Sequence, residues 1–315
     1  MSGRDLVILG TAGQVPTRRR NHNGYLLRWD HEGILLDPGE GTQRQLTLAG
    51  VSASRITRIC LSHLHGDHCL GLPGVLERLA QDGAADAIPI HYPESGQRYV
   101  ERLCDASIGA QHPVHLRPVG AGIAVAGTPV VAGPPLRITA RSLDHSVDAL
   151  GWRIEEPGRH HLLADRLAAL GLRGPAVGEL ARVGWIDTPA GRVTEAEVSE
   201  WRAGLSVAVV MDTRPCDAAV ELAQGVDLLL CEATFLDHEA GLAAEHGHMT
   251  ARWAATLARD AGVGRLVLTH LSARYPDPSG HRREASEVFG DVTVAEDLSV
   301  IDLSPAVSPP SPPHR

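Results

Sequence analysis

The segment Ser62-His63-Leu64-His65-Gly66-Asp67-His68 packs three imidazoles and a carboxylate into one short stretch. It follows directly on the apolar run Arg58-Ile59-Cys60-Leu61, so four candidate ligands leave the end of one strand together. Adjacent side chains such as Asp67 and His68 cannot easily join both His63 and His65 around a single tetrahedral ion. This density therefore favours two metals a few ångströms apart. Imidazole and carboxylate donors without paired cysteines favour zinc, with manganese or iron as alternatives. The bland alternative is a histidine-rich loop that binds nothing; the carboxylate and the strand-end position weigh against it.

Three further candidates each sit just past an apolar run: His145 in Leu143-Asp144-His145-Ser146, Asp212 in Val210-Met211-Asp212-Thr213, and His270 in Leu268-Thr269-His270-Leu271. Any one alone would more often be a surface or core residue. Beside the first cluster they complete a ligand set, because ligand sites in α/β sheets gather at the carboxyl ends of strands. The elements that must deliver them are visible as short apolar runs at 6–9, 33–36, 59–61, 136–140, 207–211, 228–230 and 266–268, which read as buried strands. Helical patterns at 71–80 and 250–261 lie between them, the second opened by Thr250 as an N-cap. The fold class is α/β.

With 315 residues, 43% of them hydrophobic, the chain can bury a substantial core. No apolar run is long enough to span a membrane, and the opening Met1-Ser2-Gly3-Arg4-Asp5 lacks the layout of a signal peptide. A cytoplasmic location with no membrane partner is expected. The scattered Cys60, Cys69, Cys104, Cys216 and Cys231 are odd in number and read as free thiols in a reducing compartment. Cys69, beside His68, is read as a small buried thiol and not as a ligand. The net charge of −9 means that any nucleic-acid surface must be local. All 29 basic residues other than histidine are arginines, suited to bidentate phosphate contacts.

Two stretches break the strand rhythm. Residues from about 155 to 205 contain Pro157-Gly158-Arg159 and Gly171-Leu172-Arg173-Gly174-Pro175 and read as an arm inserted into one domain covering 1–303. Residues 304–315 are dominated by proline and serine and are expected to be a disordered tail.

The pattern H-x-H-x-D-H followed by distant His, Asp and His resembles the signature of the metallo-β-lactamase superfamily, over nearly the whole chain. The resemblance implies an αββα sandwich and two zinc ions per chain. His63, His65 and His145 would hold one ion, Asp67, His68 and His270 the other, and Asp212 would bridge them.

Since that fold hosts many reactions, function has to come from the remaining motifs. These are similar to the ribonuclease Z family. Pro16-Thr17-Arg18-Arg19-Arg20-Asn21 resembles its P-x-K-x-R-N loop, with arginine in place of lysine at Arg18. Asp37-Pro38-Gly39-Glu40-Gly41-Thr42-Gln43 resembles D-x-G-E-G-T-Q, Cys231-Glu232-Ala233-Thr234 resembles H-E-A-T, and His248-Met249-Thr250 resembles H-x-T. His270-Leu271-Ser272-Ala273-Arg274-Tyr275 resembles H-x-S-x-R-Y. The arm resembles the family's flexible tRNA-binding exosite through Leu170-Gly171-Leu172 and Gly174-Pro175, although it carries acidic residues and no lysine.

The resemblance implies a zinc-dependent endoribonuclease that removes the 3′ trailer of precursor tRNA, leaving a 3′-hydroxyl tRNA and a 5′-phosphate trailer. It also implies a homodimer whose partner arm holds the tRNA. Asp67 would accept a proton from the attacking water, and Glu232 with His248 would protonate the departing 3′ oxygen. Arg18, Arg20, Asn21, Gly174 and Pro175 would contact RNA. The alternatives are a phosphodiesterase or arylsulfatase-like hydrolase of small esters or cyclic nucleotides on the same fold, and a catalytically dead RNA-binding subunit. The latter should have lost ligands, and none is missing here.

Overall fold

The computed structural model describes residues 4–84, 86–106, 112–120 and 136–303, so the Pro/Ser-rich segment from 304 onward lies outside the described residues. The chain divides into two compact units. The first comprises Met1–Ala126, Ile138–Ile154 and Ser206–Arg315, and the second Gly127–Arg137 and Glu155–Leu205.

In the first unit, seven strands form one sheet in the spatial order Val300–Asp302, Arg4–Gly10, Gly24–Trp29, Glu32–Leu36, Arg58–Cys60, Ile88–Pro93 and Val114–Val119. Pairing is antiparallel up to Glu32–Leu36 and parallel beyond it. A second sheet runs Val292–Val294, Arg265–Thr269, Leu228–Glu232, Ser206–Val210, Ala149–Glu155 and Arg137–Leu143, with its first four strands parallel.

Alternation of side chains along each strand sets the layers. Val7, Leu9 and Leu35 pack with Leu46 of the helix Thr42–Leu48 and with Leu72, Val75 and Leu79 of the helix Leu72–Gln81. Ala208, Val210 and Leu229 pack with Ala251, Ala254 and Ala258 of the helix Ala251–Ala261. Leu6, Ile8, Val207 and Val209 have the opposite parity and are just as buried, so their cover is the other sheet. The Tyr25 hydroxyl, 2.7 Å from Thr269 Oγ1, ties the two sheets directly. The architecture is an αββα sandwich. Thr250 caps its helix as the sequence suggests, its hydroxyl accepting from the Trp253 N–H at 3.2 Å.

The second unit has a small core of its own, made by Leu167, Leu172, Leu180, Val193 and Val198. The strands Arg159–Leu162 and Ser199–Arg202 pair antiparallel, as do Trp185–Thr188 and Gly191–Thr194. Two helices, Ala164–Ala169 and Pro175–Val183, complete it. The Glu156 N–H donates to the Leu205 carbonyl at 2.9 Å, so the segment enters and leaves side by side.

Two buried histidines in the first unit make stability depend on pH. His91 and His281 are almost fully enclosed. Burial, reinforced by the nearby cations Arg58 and Arg20 respectively, pushes both down to about 4. The unfolded chain binds a proton on each near pH ~6.5, whereas the fold takes none until about 4. Their contribution to stability is therefore complete above pH ~6.5 and is lost as pH falls toward 4, by up to about 3 kcal/mol per group. Urea titrations should show His281→Gln losing about 3 kcal/mol less than the parent chain across that window. Equal slopes for the two proteins would mean that His281 is protonated inside the fold.

Candidate metal centre

Seven side chains converge at the carboxyl ends of the strands of the first unit. His63 and His65 follow Arg58–Cys60, and Asp67 and His68 lie on the short helix Gly66–Cys69. His145 follows Arg137–Leu143, Asp212 follows Ser206–Val210, and His270 follows Arg265–Thr269. The positions are those that parallel strands give a ligand site, where the backbone ends and turns leave room for side chains to meet.

Within the centre, the donors fall into two groups that share one carboxylate. His63 Nε2 lies 3.0 Å from His65 Nδ1, and His145 Nε2 lies 3.3 Å from the same atom. Asp212 Oδ2 faces this group, at 3.6 Å from His63 Nε2 and 3.8 Å from His145 Nε2. In the other group, His68 Nε2 is 3.2 Å from His270 Nε2, and Asp67 Oδ2 is 3.3 and 3.4 Å from these two nitrogens. Asp212 Oδ1 faces this second group, at 3.4 Å from His68 Nε2 and 3.1 Å from His270 Nε2.

These spacings fit metal coordination. A tetrahedral ion holding ligands at about 2.0–2.1 Å sets them about 3.3 Å apart along each edge. Asp212 Oδ1 is buried with no hydrogen bond, which an acceptor tolerates only if something else satisfies it. Electrostatics agree. Although burial opposes a charge on His68, Asp212 and Asp67 pull its proton affinity well above that of an ordinary histidine. His63 is held neutral, well below the usual range, by burial and by the charge on His68. The carboxylates thus create a demand for positive charge that a divalent cation meets with the imidazoles unprotonated.

Four of the five remaining ring nitrogens are fixed from behind. His68 Nδ1 meets Asp37 Oδ2 at 2.8 Å, His145 Nδ1 meets the Gly247 carbonyl at 2.9 Å, and His270 Nδ1 meets Thr234 Oγ1 at 2.7 Å. His63 Nδ1 lies 3.0 Å from Ser62 Oγ, whose hydroxyl donates to Asp37 Oδ2 at 2.5 Å. Asp37 and His270 both adopt positive φ, 46° and 56°, a conformation uncommon outside glycine. Gly13 leaves room for the His270 ring: a Cβ there would sit 2.7 Å from its Nδ1 and Cε1.

Glu232 ends the strand Leu228–Glu232 and is fully buried. It accepts from the Thr213 N–H at 2.8 Å and from the Thr234 hydroxyl at 2.6 Å, and it pairs with His248 Nδ1 at 3.1 Å. Burial works against a charged His248, but Glu232 overrides this and pushes the imidazole up to about 9. His248 Nδ1 also lies 3.8 Å from Asp212 Oδ2. A cavity of about 650 Å³ opens over the centre, lined among others by His65, Asp67, Asp212, His248 and His270, with Val15 and Leu70 exposed at 53% and 48%.

The other expected site residues are placed differently. Arg18 is exposed, but Arg20 Nη2 donates to the carbonyls of Tyr275 at 2.8 Å and Pro276 at 3.4 Å. Asn21 Nδ2 donates to the Glu40 carbonyl at 2.8 Å, and its N–H to Asp297 at 2.6 Å. Arg20 and Asn21 thus shape the turn in which they sit. Gly174 and Pro175 open the helix Pro175–Val183 in the second unit, Gly174 with φ 55°. Cys69 is buried, its thiol 3.2 Å from the His65 carbonyl, and is no part of the ligand set.

Residues 17–161 match the family model of the metallo-beta-lactamase superfamily, and 188–271 match that of the beta-lactamase superfamily domain. The chain is 55% identical to ribonuclease Z of Nocardia farcinica, over 97% of this chain and 99% of that one. It is 50% identical to ribonuclease Z of Streptomyces coelicolor, over 96% and 99%. This chain belongs to the ribonuclease Z family. Among solved structures, human tRNase Z, short form, superposes with a TM-score of 0.67 at 26% identity, covering 95% of this chain and 99% of that one.

For a metal-binding ribonuclease Z fold, the sequence reading missed the residues behind the ligands. Asp37 stood in a quoted motif with no role attached, and Ser62, Thr234 and the Gly247 carbonyl had none either. The available signal for Asp37 was a lone carboxylate directly after a buried strand, in Leu36-Asp37-Pro38-Gly39. Replacing it by alanine frees His68 Nδ1 and two donors of Ser62. Asp37→Ala should lower metal affinity by about 10- to 100-fold, measured by competition with a chromogenic chelator. Unchanged affinity would show that the ring of His68 is oriented without it.

Proposed function

We propose that the centre hydrolyses the phosphodiester bond at the 3′ end of the tRNA in a precursor, leaving a 3′-hydroxyl tRNA and a 5′-phosphate trailer, in the cytoplasm and as a homodimer. The observation that carries this reading is the meeting of two ligand groups on one shared carboxylate, beside a charged Glu232–His248 pair, in a ribonuclease Z chain. His63, His65 and His145 are assigned to one zinc ion, Asp67, His68 and His270 to the other, and Asp212 to both. Bound there, the two ions supply a water of near-neutral pKa and positive charge against the scissile phosphate.

The chain's own groups handle the protons. Asp67, which lines the cavity, accepts the proton of the attacking water. The phosphorus–O3′ bond then breaks, and the oxygen leaving with the tRNA needs a proton. His248 provides it: Glu232 engages Nδ1 and keeps the ring charged, which leaves Nε2 for the departing atom. Glu232→Ala and His248→Ala should therefore retain metal but lose turnover on RNA by about 10²- to 10⁴-fold, and far less on bis-p-nitrophenyl phosphate, whose leaving group needs little protonation. Equal losses on both substrates would remove the proton-donor assignment.

The inserted segment is assigned to holding the body of the tRNA, through Gly174 and Pro175, while Arg18 contacts the RNA near the cleavage site. The segment from 155 to 205 has six arginines against eight carboxylates. Arg192 is already paired with Asp187 at 2.9 Å and Arg202 with Glu200 at 2.6 Å. Its grip therefore rests on shape and on exposed aromatic surface, Trp185 and Trp201, more than on net charge.

Remote binding of this kind helps a large substrate and does nothing for a small one. The adjacent Glu156 and Leu205 let a short Gly/Ser linker replace 157–204. That variant, loaded with about two zinc ions per chain by elemental analysis, should lose cleavage of precursor tRNA and keep hydrolysis of bis-p-nitrophenyl phosphate. Mapped product ends in the intact enzyme should be a 3′-hydroxyl and a 5′-phosphate. Turnover of cyclic nucleotides with no action on tRNA would instead favour a small-ester phosphodiesterase.

A further inference from the structure

His22 lies in the wall of the catalytic cavity and has no part in the chemistry described above. Its Nε2 is 3.2 Å from the Gln14 carbonyl oxygen. A carbonyl can only accept, so Nε2 carries the proton and the ring is pinned in one tautomer. The other nitrogen, Nδ1, is buried without a partner.

Gln14 is held at both ends of its peptide units. Its N–H donates to Asp67 Oδ2 at 2.7 Å, the same oxygen that faces His68 and His270. Its φ is 53°, and the Val15 N–H closes back onto the Gly13 carbonyl at 2.6 Å. This is a γ-turn with its central residue in left-handed space, a rare and strained arrangement that persists only where its surroundings impose it. On one side the constraint is Asp67 and on the other His22. The spacing between them is set by close packing at Gly39, where a Cβ would lie 2.2 Å from the Asp67 carbonyl oxygen and 2.7 Å from His22 Cβ.

We propose that His22 is a positioning residue for Asp67: by gripping the Gln14 carbonyl it keeps a strained turn in place, so that the Gln14 N–H orients the carboxylate that faces the attacking water. The inference rests on the role given to Asp67 above. It does not depend on the substrate being tRNA, because Asp67 would act in the same way on any phosphodiester.

The test uses the full, zinc-loaded chain with His22→Ala and His22→Gln, the glutamine retaining an N–H that can reach a carbonyl. His22→Ala should lower kcat by about 10- to 100-fold on both bis-p-nitrophenyl phosphate and precursor tRNA, with KM and zinc content unchanged. His22→Gln should recover most of that loss. With glutamine selectively labelled with nitrogen-15, the Gln14 amide proton should resonate downfield in the parent chain, move upfield in His22→Ala and return in His22→Gln. Should the alanine variant fail to fold, His22→Asn, whose shorter amide does not span the gap, reads the same quantities. A loss confined to tRNA and expressed in KM would make His22 an RNA contact and overturn the proposal. So would loss of zinc, an unmoved Gln14 amide, or unchanged kcat. A parent chain that hydrolyses the ester but ignores tRNA would sink the tRNA reading alone, since the His22 effect is still read on the ester and on the amide.

Discussion

The structure is organised around a buried carboxylate. Asp212 is almost fully enclosed, lies between two sets of imidazoles and has one oxygen without a hydrogen bond. An ionised carboxylate removed from water is tolerated only beside compensating positive charge. The imidazoles around it are placed to hold such a charge, His63 and His145 facing one oxygen and His68 and His270 the other, with Asp37, Thr234 and Gly247 behind them. Glu232 repeats the arrangement one strand over. It too is enclosed, and it carries its counter-charge as the proton on His248. The two buried carboxylates thus meet the same electrostatic requirement in two ways, one among imidazoles that can hold a cation and the other beside a protonated imidazole.

The backbone is distorted where these demands are strongest. Asp37, His270 and Gln14 all adopt positive φ without being glycine, and each has a side chain or an amide engaged at the centre. Strain of this sort costs about 1–3 kcal/mol per residue and survives only under support from several sides. At Asp37 that support comes from the N–H and the hydroxyl of Ser62, at 2.6 and 2.5 Å. At His270 it includes the glycine that makes room for the ring.

Much of this was legible beforehand, for a physical reason. Strands buried on both faces read as unbroken apolar runs, and the ligands follow those runs directly, so residue type and placement pointed the same way at His63, Asp212 and His270. The groups behind the ligands left no such trace. A serine, a threonine or a backbone carbonyl is common everywhere, and its partner is fixed only when two sheets are stacked. Arg20 and Asn21 carry a further feature the motif alone did not show, since Arg20 Nη2 is engaged by the Tyr275 and Pro276 carbonyls and Asn21 Nδ2 by that of Glu40. Strands such as Gly24–Trp29 and Ala149–Glu155 escaped notice because glycine, tryptophan and arginine interrupt the apolar pattern.

The ligand set is split between the sheets. His63, His65, Asp67 and His68 issue from the first sheet, and His145, Asp212 and His270 from the second, so that any ion held by either group bonds to both halves of the sandwich. Residues far apart in the chain, such as His68 and His270, become neighbours only once the halves have docked. Neither half by itself presents a complete cage. Capture of an ion by either group would consequently be a late event in folding, and on a ribosome the first four residues wait through the synthesis of most of the remaining chain before their partners exist. Because binding energy gained only by the docked state is folding energy, an ion held there would act as a rivet between the sheets.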